Sequence, residues 1–145
     1  MRIYTIGFTK ITAEDFFETL KNSGARHLLD IRLNNTSQFA AFTKKQDLPY
    51  LLKKLTGMQY HEVPELAPSG SILKEYRSNK NWEIYADAYN MLLGKREAEK
   101  SVPVKWLREG TVLLCSEQDP SKCHRRLAAE YLAGTINGRI VVKHL

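Results

Sequence analysis

The chain has 145 residues, of which 43% are hydrophobic and 26% are charged. This size and composition are typical of one globular domain and exclude a disordered or collagen-like chain. Lys and Arg outnumber Asp and Glu by 22 to 16, and the net charge of +6 makes an anionic partner plausible without selecting nucleic acid over a small anion.

Targeting signals are missing from the sequence pattern. No apolar run approaches the ~18 residues of a membrane span. Residues 1–7 also lack the apolar stretch and cleavage site of a secretory signal. The two cysteines cannot form a disulfide framework, so we expect a cytoplasmic protein with no membrane partner.

The first thirty residues predict a β–α–β unit. Residues 3–6 are an apolar strand that ends at Gly7, and a helix follows, with Thr12 as its cap and Gly24 after its last turn. Residues 27–32 form a second apolar strand. Two strands joined through a helix in this way are typical of a parallel pair.

The middle of the chain is less regular. Strand and helix patterns alternate there with loops rich in Pro, Gly and Ser. We predict a loop over 33–46, a helix over 47–55, a strand over 58–63, a loop over 67–71, a helix over 82–93 and a charged helix or loop over 95–105.

The last third predicts a fully buried strand over 111–115, a loop over 116–120 and a helix over 121–133 capped by Asp119 or Ser121. A final strand follows over 139–143. We therefore expect a single three-layer α/β domain over residues 1–145, with a mainly parallel central sheet flanked by helices.

Polar residues collect where the predicted strands end. Parallel strands bring their carboxyl ends to one edge of the sheet, which is where open α/β folds bind ligands. The sequence therefore predicts a site at this edge, to which the three strands contribute Gly7 and Thr9, Asp30 and Arg32, and Cys115, Glu117 and Asp119.

Asp30 and Arg32 are two residues apart on a strand and point to the same face. They could form a purely structural ion pair. Alternatively, Arg32 offers its planar guanidinium to an oxyanion while Asp30 orients it.

The segment after the fourth strand carries three cationic or titratable side chains at the start of a helix: His124, Arg125 and Arg126. Cations there oppose the helix dipole, and a local rule broken in this way often marks a functional site. They could strengthen anion binding at the helix N-terminus, or Glu117 and Asp119 could simply neutralise them.

Cys115 lies on an apolar strand and is expected to be a small core residue. Cys123, near a helix N-terminus and beside Arg125, is either inert packing or a nucleophile with a lowered pKa. Cys115, Cys123 and His124 offer three soft ligands, but their spacing matches no closed zinc pattern. We therefore predict no metal site.

Three segments resemble the domain of unknown function 488 family. They are Thr5–Thr9, Asp30–Asn35 and the motif Cys115-Ser116-Glu117-x-Asp119-Pro120-x-x-Cys123-His124-Arg125. The resemblance spans nearly the whole chain and implies a single α/β domain in a bacterial or archaeal protein. It implies no activity.

The polar residues at this edge favour a site for a phosphorylated or nucleotide-like anion, and the protein would act on this anion as a hydrolase or transferase. Glu117 would be the general acid or base, with His124 as its alternative. The remaining ligand-binding candidates are Gly7, Thr9, Asp30, Arg32, Cys115, Cys123 and Arg125. No known cofactor motif is present, so the cofactor stays open.

Two non-catalytic alternatives remain: a nucleic-acid-binding module and a small-ligand sensor. The basic pairs along the chain are dispersed, which favours solvated surface over a nucleic-acid footprint. Trp82, Tyr85 and Tyr89, three and four residues apart, favour core packing over a base-stacking platform.

The sharpest prediction is geometric. At least three of Arg32, Glu117, His124 and Arg125 should converge with Gly7 in one pocket at the carboxyl edge of the sheet. Gly7 would let backbone amides approach a ligand. Cys115 should lie beneath the pocket as packing, with Cys123 nearby.

Overall fold

A computed structural model describes residues 1–117 and 119–145, so Gln118 of the predicted 116–120 loop lies outside the described residues. The described strands form one five-stranded sheet in which every pair is parallel. The strands are β1 (Arg2–Gly7), β2 (His27–Asp30), β3 (Gln59–Glu62), β4 (Thr111–Cys115) and β5 (Val141–His144), in the spatial order β3-β2-β4-β1-β5.

The helices connect these strands on both faces of the sheet. They are α1 (Ala13–Ser23), α2 (Leu48–Thr56), α3 (Gly70–Asn79), α4 (Trp82–Arg96), α5 (Val104–Glu109) and α6 (His124–Thr135). Short 3₁₀ turns occupy Gln38–Thr43, Pro64–Leu66 and Ala98–Ser101.

Two hydrophobic cores make this a three-layer α/β domain, as predicted. Phe16 and Leu20 of α1 and Leu52 of α2 pack on one face of the sheet. Tyr89 of α4 and Leu132 of α6 belong to the core on the other face. The central strand β4 is buried at every position, which explains its uninterrupted apolar sequence.

Local signals explain where several helices begin and end. The Thr12 side chain accepts a hydrogen bond from the Asp15 amide at 3.1 Å and caps α1 as predicted. Gly24 ends the same helix with a φ of 73°, a conformation that glycine adopts without steric cost.

The start of α6 differs from the prediction. The helix begins at His124, and its N-cap is Cys123, which makes no side-chain capping bond. The Asp119 side chain instead accepts the Ser121 amide at 2.9 Å, so it closes a turn before the helix. His124 and Arg125 are therefore the first two helical residues.

The helix α3 was not predicted, and only a loop was expected over 67–71. Its amphipathic pattern is short and has no fully buried residue. The Ser69 side chain nevertheless accepts the Ile72 amide at 3.2 Å and starts the helix. This matters for function because α3 forms one wall of the candidate site.

Among residues 1–117 and 119–145, no helix combines the length and the apolar character that crossing a membrane requires.

Candidate functional site

A pocket opens at the carboxyl edge of the sheet. The register places Gly7 of β1 beside Cys115 of β4, and Asp30 of β2 beside Leu114. A cavity of about 450 Å³ lies next to this edge, between the segments that follow β2 and β4, the helix α3 and the start of α6. Its size is within the range of small-molecule sites.

The geometric prediction is confirmed for three of its four polar residues. Arg32, Glu117 and His124 all line the cavity. Cys115 and Cys123 also line it, both at under 5% exposure. Arg125 and Gly7 are not among the lining residues.

Arg32 is engaged by the protein itself. Its Nε and Nη2 donate to the two carboxylate oxygens of Asp30 at 2.8 and 2.7 Å. Arg32 Nη1 also donates to the Thr43 hydroxyl at 2.9 Å, and Nη2 donates to the Thr43 carbonyl at 2.7 Å. Most of the guanidinium donors are thus used internally, which favours the structural interpretation of this ion pair.

Asp30 is the centre of this network and does not line the cavity. Besides Arg32, it accepts bonds from Tyr60 at 2.6 Å and Asn35 at 3.2 Å. Burial alone would raise the pKa of Asp30, but the hydrogen bonds and charge of Arg32 outweigh it and hold that pKa below its usual value. The Tyr60 hydroxyl has a raised pKa because it is buried and bonded to this carboxylate.

Gly7 has a different role from the predicted one. A Cβ at this position would collide with the backbone carbonyl of Glu117 and lie 2.7 Å from Arg125 Nη1. The missing side chain therefore lets the segment after β4 cross close to β1.

Arg125 and Thr9 support that same segment. The Arg125 side chain is completely buried, and it donates to the Glu117 carbonyl and to the Thr5 hydroxyl, the latter at 3.3 Å. The exposed Thr9 hydroxyl donates to the Ser116 carbonyl at 2.5 Å. Both residues hold the pocket wall in place from outside the cavity.

Cys115, Cys123 and His124 form a cluster on the cavity floor. The Cys123 thiol donates to Cys115 Sγ at 3.1 Å, and His124 Nδ1 lies 3.5 Å from the same sulfur. The other ring nitrogen of His124, Nε2, donates to the Ile31 carbonyl at 2.9 Å. That bond fixes the ring orientation and turns Nδ1 toward the sulfurs.

The surroundings act differently on the two thiols, and the raised pKa of Cys123 does not support the hypothesis that it is a nucleophile. The hydrogen bond from Cys123 lowers the pKa of Cys115, helped by the amides of Glu117 and Ser116 and opposed by burial. Donating that bond and being buried raise the pKa of Cys123. Cys115 is therefore the more acidic thiol.

Sequence reasoning missed the outer wall of the pocket. Tyr76 and Arg77 of α3 line it, as do Tyr85 of α4 and Lys122. The Tyr76 and Tyr85 rings lie 4.9 Å apart between centroids. Since the pattern of 67–80 did not predict a helix, nothing in the sequence placed these side chains beside the strand edge.

No curated protein and no solved structure matches the chain. One family model, described as "Domain of unknown function DUF488", matches residues 12–132. The match covers most of the chain and includes β2, β4 and the cysteine–histidine cluster. The chain therefore belongs to the DUF488 family.

Proposed function

We propose that this protein binds a phosphorylated, nucleotide-like small molecule in the strand-edge pocket and acts on it as a hydrolase or transferase. The observation that carries the proposal is the cavity of about 450 Å³, which combines cations, aromatic rings and titratable groups in one place. A small number of polar groups that converge in one cavity is typical of a small-molecule site.

The anion would be held by Arg77 and Lys122. Both side chains line the pocket, and neither forms an ion pair with a carboxylate in the described parts of the chain. The sequence predicts that Arg32 and Arg125 hold the anion, but their guanidinium groups donate hydrogen bonds to other protein groups. Charge-assisted bonds from Arg and Lys are the strongest that a phosphate accepts.

The flat part of the ligand would pack on the partly exposed ring of Tyr76, next to the buried core residue Tyr85. Their rings belong to an aromatic series that also includes Trp82, stacked on Tyr85 at 5.2 Å. An aromatic face beside two cations suits a heterocyclic base attached to a phosphate.

Glu117 would supply acid or base catalysis. Its side chain is exposed and lines the same pocket, so it can reach a bound ligand. His124 is the weaker alternative because its Nε2 is bonded to the Ile31 carbonyl and its Nδ1 faces Cys115.

Ligand binding is tested by isothermal titration calorimetry with adenosine monophosphate and inorganic phosphate. We expect Arg77→Gln and Lys122→Gln each to weaken binding by about 5- to 10-fold, the loss of one charge-assisted bond. Arg108→Gln and Lys53→Gln remove the same charges away from the pocket and should leave binding unchanged. Equal affinities in all four variants would contradict the proposed anion site.

Catalysis is tested with Glu117→Gln. Phosphorus NMR would follow conversion of the bound phosphate ester, and removal of an acid–base group should slow it by about 100-fold or more. Unchanged turnover in this variant would show that the catalytic assignment is wrong.

The nucleic-acid alternative makes a different prediction. Retention of DNA or RNA in a low-salt filter-binding assay would weaken steeply with salt and would not respond to Glu117→Gln. The lysine pairs that this alternative would use are partly neutralised: Lys45 bonds to Glu62 at 2.9 Å. We therefore place it second.

A further inference from the structure

The cysteine–histidine cluster on the pocket floor has an arrangement that neither the family nor the proposed anion site explains. Cys115 Sγ, Cys123 Sγ and a ring nitrogen of His124 all lie within 4.8 Å of one another, and all three residues are buried. We propose that these three side chains bind one zinc ion, or a similar divalent transition metal, with the fourth coordination position facing the pocket.

The donor types fit zinc. Thiolate sulfur and imidazole nitrogen are its preferred ligands, and two cysteines with one histidine form a known set for zinc sites that keep an open position. The sequence spacing did not suggest this site because Cys123 and His124 are adjacent, whereas closed zinc motifs separate their ligands by two or more residues.

One of the sulfur–nitrogen distances matches a tetrahedral site. With Zn–S bonds of about 2.3 Å and a Zn–N bond of about 2.05 Å, a sulfur and a nitrogen should lie about 3.5 Å apart. Cys115 Sγ and His124 Nδ1 are 3.5 Å apart. The two sulfurs, now at 3.1 Å, would need to separate to about 3.8 Å.

The surroundings of the ligands resemble a second coordination shell. A metal-binding histidine usually donates its other ring N–H to a carbonyl or carboxylate, and His124 Nε2 does so to the Ile31 carbonyl at 2.9 Å. With Nε2 occupied in this way, Nδ1 is the ring nitrogen left to face Cys115 Sγ, 3.5 Å away.

The open position would give the metal a chemical use. Structural zinc sites are closed by four protein ligands, whereas catalytic sites keep one position for water or substrate. Here the three protein ligands line a cavity of about 450 Å³. A ligand oxygen or a water molecule in that cavity could therefore reach the ion, which would act as a Lewis acid.

The test is the metal content of the 145-residue chain. The reduced chain is incubated with zinc sulfate and freed of excess metal by gel filtration. Plasma mass spectrometry should then find about one zinc per chain, as expected for a single site. Cobalt in place of zinc should give thiolate-to-cobalt charge-transfer bands and the visible bands of tetrahedral coordination.

Variants show whether the metal uses these ligands. Cys115→Ser and Cys123→Ser should lower zinc affinity at least 10-fold, whereas His124→Cys should retain zinc because it restores a soft ligand. His61→Gln removes a histidine outside the cluster and should retain full occupancy. Circular dichroism of each variant checks that the fold is kept. Zinc should raise the melting temperature of the unmodified chain and of His61→Gln, but not that of the two cysteine variants.

Two results would overturn the metal site. One is a reduced, zinc-treated chain that keeps less than about a tenth of an equivalent of zinc and shows no cobalt bands. The other is a Cys115–Cys123 disulfide, found by thiol titration and mass spectrometry under the same reducing conditions. Neither result depends on the phosphorylated ligand, so the metal site and the proposed function can fail separately.

Discussion

At the scale of single residues, the pocket depends on a few side chains that do not touch its interior. Arg125 and Thr9 hold the backbone of residues 116 and 117 against the sheet. Gly7 leaves the space that this backbone fills. The pattern of polar residues at the strand ends thus marks both the wall of the site and its supports.

Gly7→Ala should destabilise the protein by about 1–3 kcal/mol, because the new methyl group overlaps the Glu117 carbonyl and crowds Arg125. The shift of the 116–117 backbone should also weaken binding of inorganic phosphate. Urea unfolding followed by tryptophan fluorescence measures the first effect, and calorimetry measures the second.

Gly134→Ala is the matched control, since a Cβ there meets no atom within 4 Å. This α6 position should tolerate alanine or gain up to about 1 kcal/mol from its helix propensity. If Gly7→Ala were as stable as Gly134→Ala, that result would contradict the close packing of the 116–117 backbone against β1.

At the scale of elements, β2, β3 and α5 carry a second titratable cluster at the other end of the sheet. The His27 ring bonds to His61 at 3.0 Å and to Glu109 at 2.5 Å. The Trp106 ring stacks on His61 with 3.8 Å between centroids. Burial and the charge of His27 lower the pKa of His61 below 6.5.

This cluster predicts that stability decreases as the pH falls. An unfolded chain binds a proton on His61 near pH 6.5, but the folded chain binds it only at lower pH, so the free energy of unfolding decreases as pH drops below about 6.5. Urea unfolding between pH 7.5 and 5.5 should show the decrease, and proton NMR of the ring should give the His61 pKa.

His61→Gln should flatten that pH dependence. A smaller slope should remain, because burial also lowers the pKa of His144. A measured His61 pKa at or above 6.5, or an equal slope in the variant, would contradict the prediction.

At the scale of the whole molecule, β5 forms one edge of the sheet. It pairs with β1, and its last residues bond to Thr5: the Leu145 amide donates to the Thr5 carbonyl at 2.9 Å, and His144 lies 2.6 Å from the Thr5 hydroxyl. Thr5 in turn contacts Arg125, which supports the pocket wall. The edge strand is therefore connected to the candidate site through two residues.

Deleting residues 139–145 should expose β1 as a new edge strand. Open strand edges pair with other chains, so the shortened protein should associate, and it should lose a few kcal/mol of stability at ~1 kcal/mol per lost hydrogen bond. Light scattering after size-exclusion chromatography measures association, and urea unfolding measures stability. Val141→Lys keeps the backbone pairing and serves as the control.

An unchanged molar mass together with an unchanged unfolding midpoint would show that β5 is dispensable. If the Val141→Lys control also associated, the association of the shortened chain would be due to side-chain chemistry and not to the open strand edge.

The sequence pattern predicted the α/β class, the parallel sheet and the edge where the candidate site lies. Apolar runs, caps and turn residues are local signals, and parallel strands must present their carboxyl ends together. The same signals predicted that Arg32, Glu117 and His124 would share a pocket. The order of the outer strands was not predicted, since nothing local specifies which strand pairs with which.

Contacts between distant parts of the chain determine which of the polar residues are available to a ligand. Arg32 and Arg125 look in the sequence like anion-binding groups, but long-range partners such as Thr43 and Thr5 engage them. Arg77 looks like an ordinary surface residue, yet α3 brings it to the pocket. The 3.1 Å separation of Cys115 and Cys123 likewise depends on how the chain turns between β4 and α6, which residue spacing does not specify.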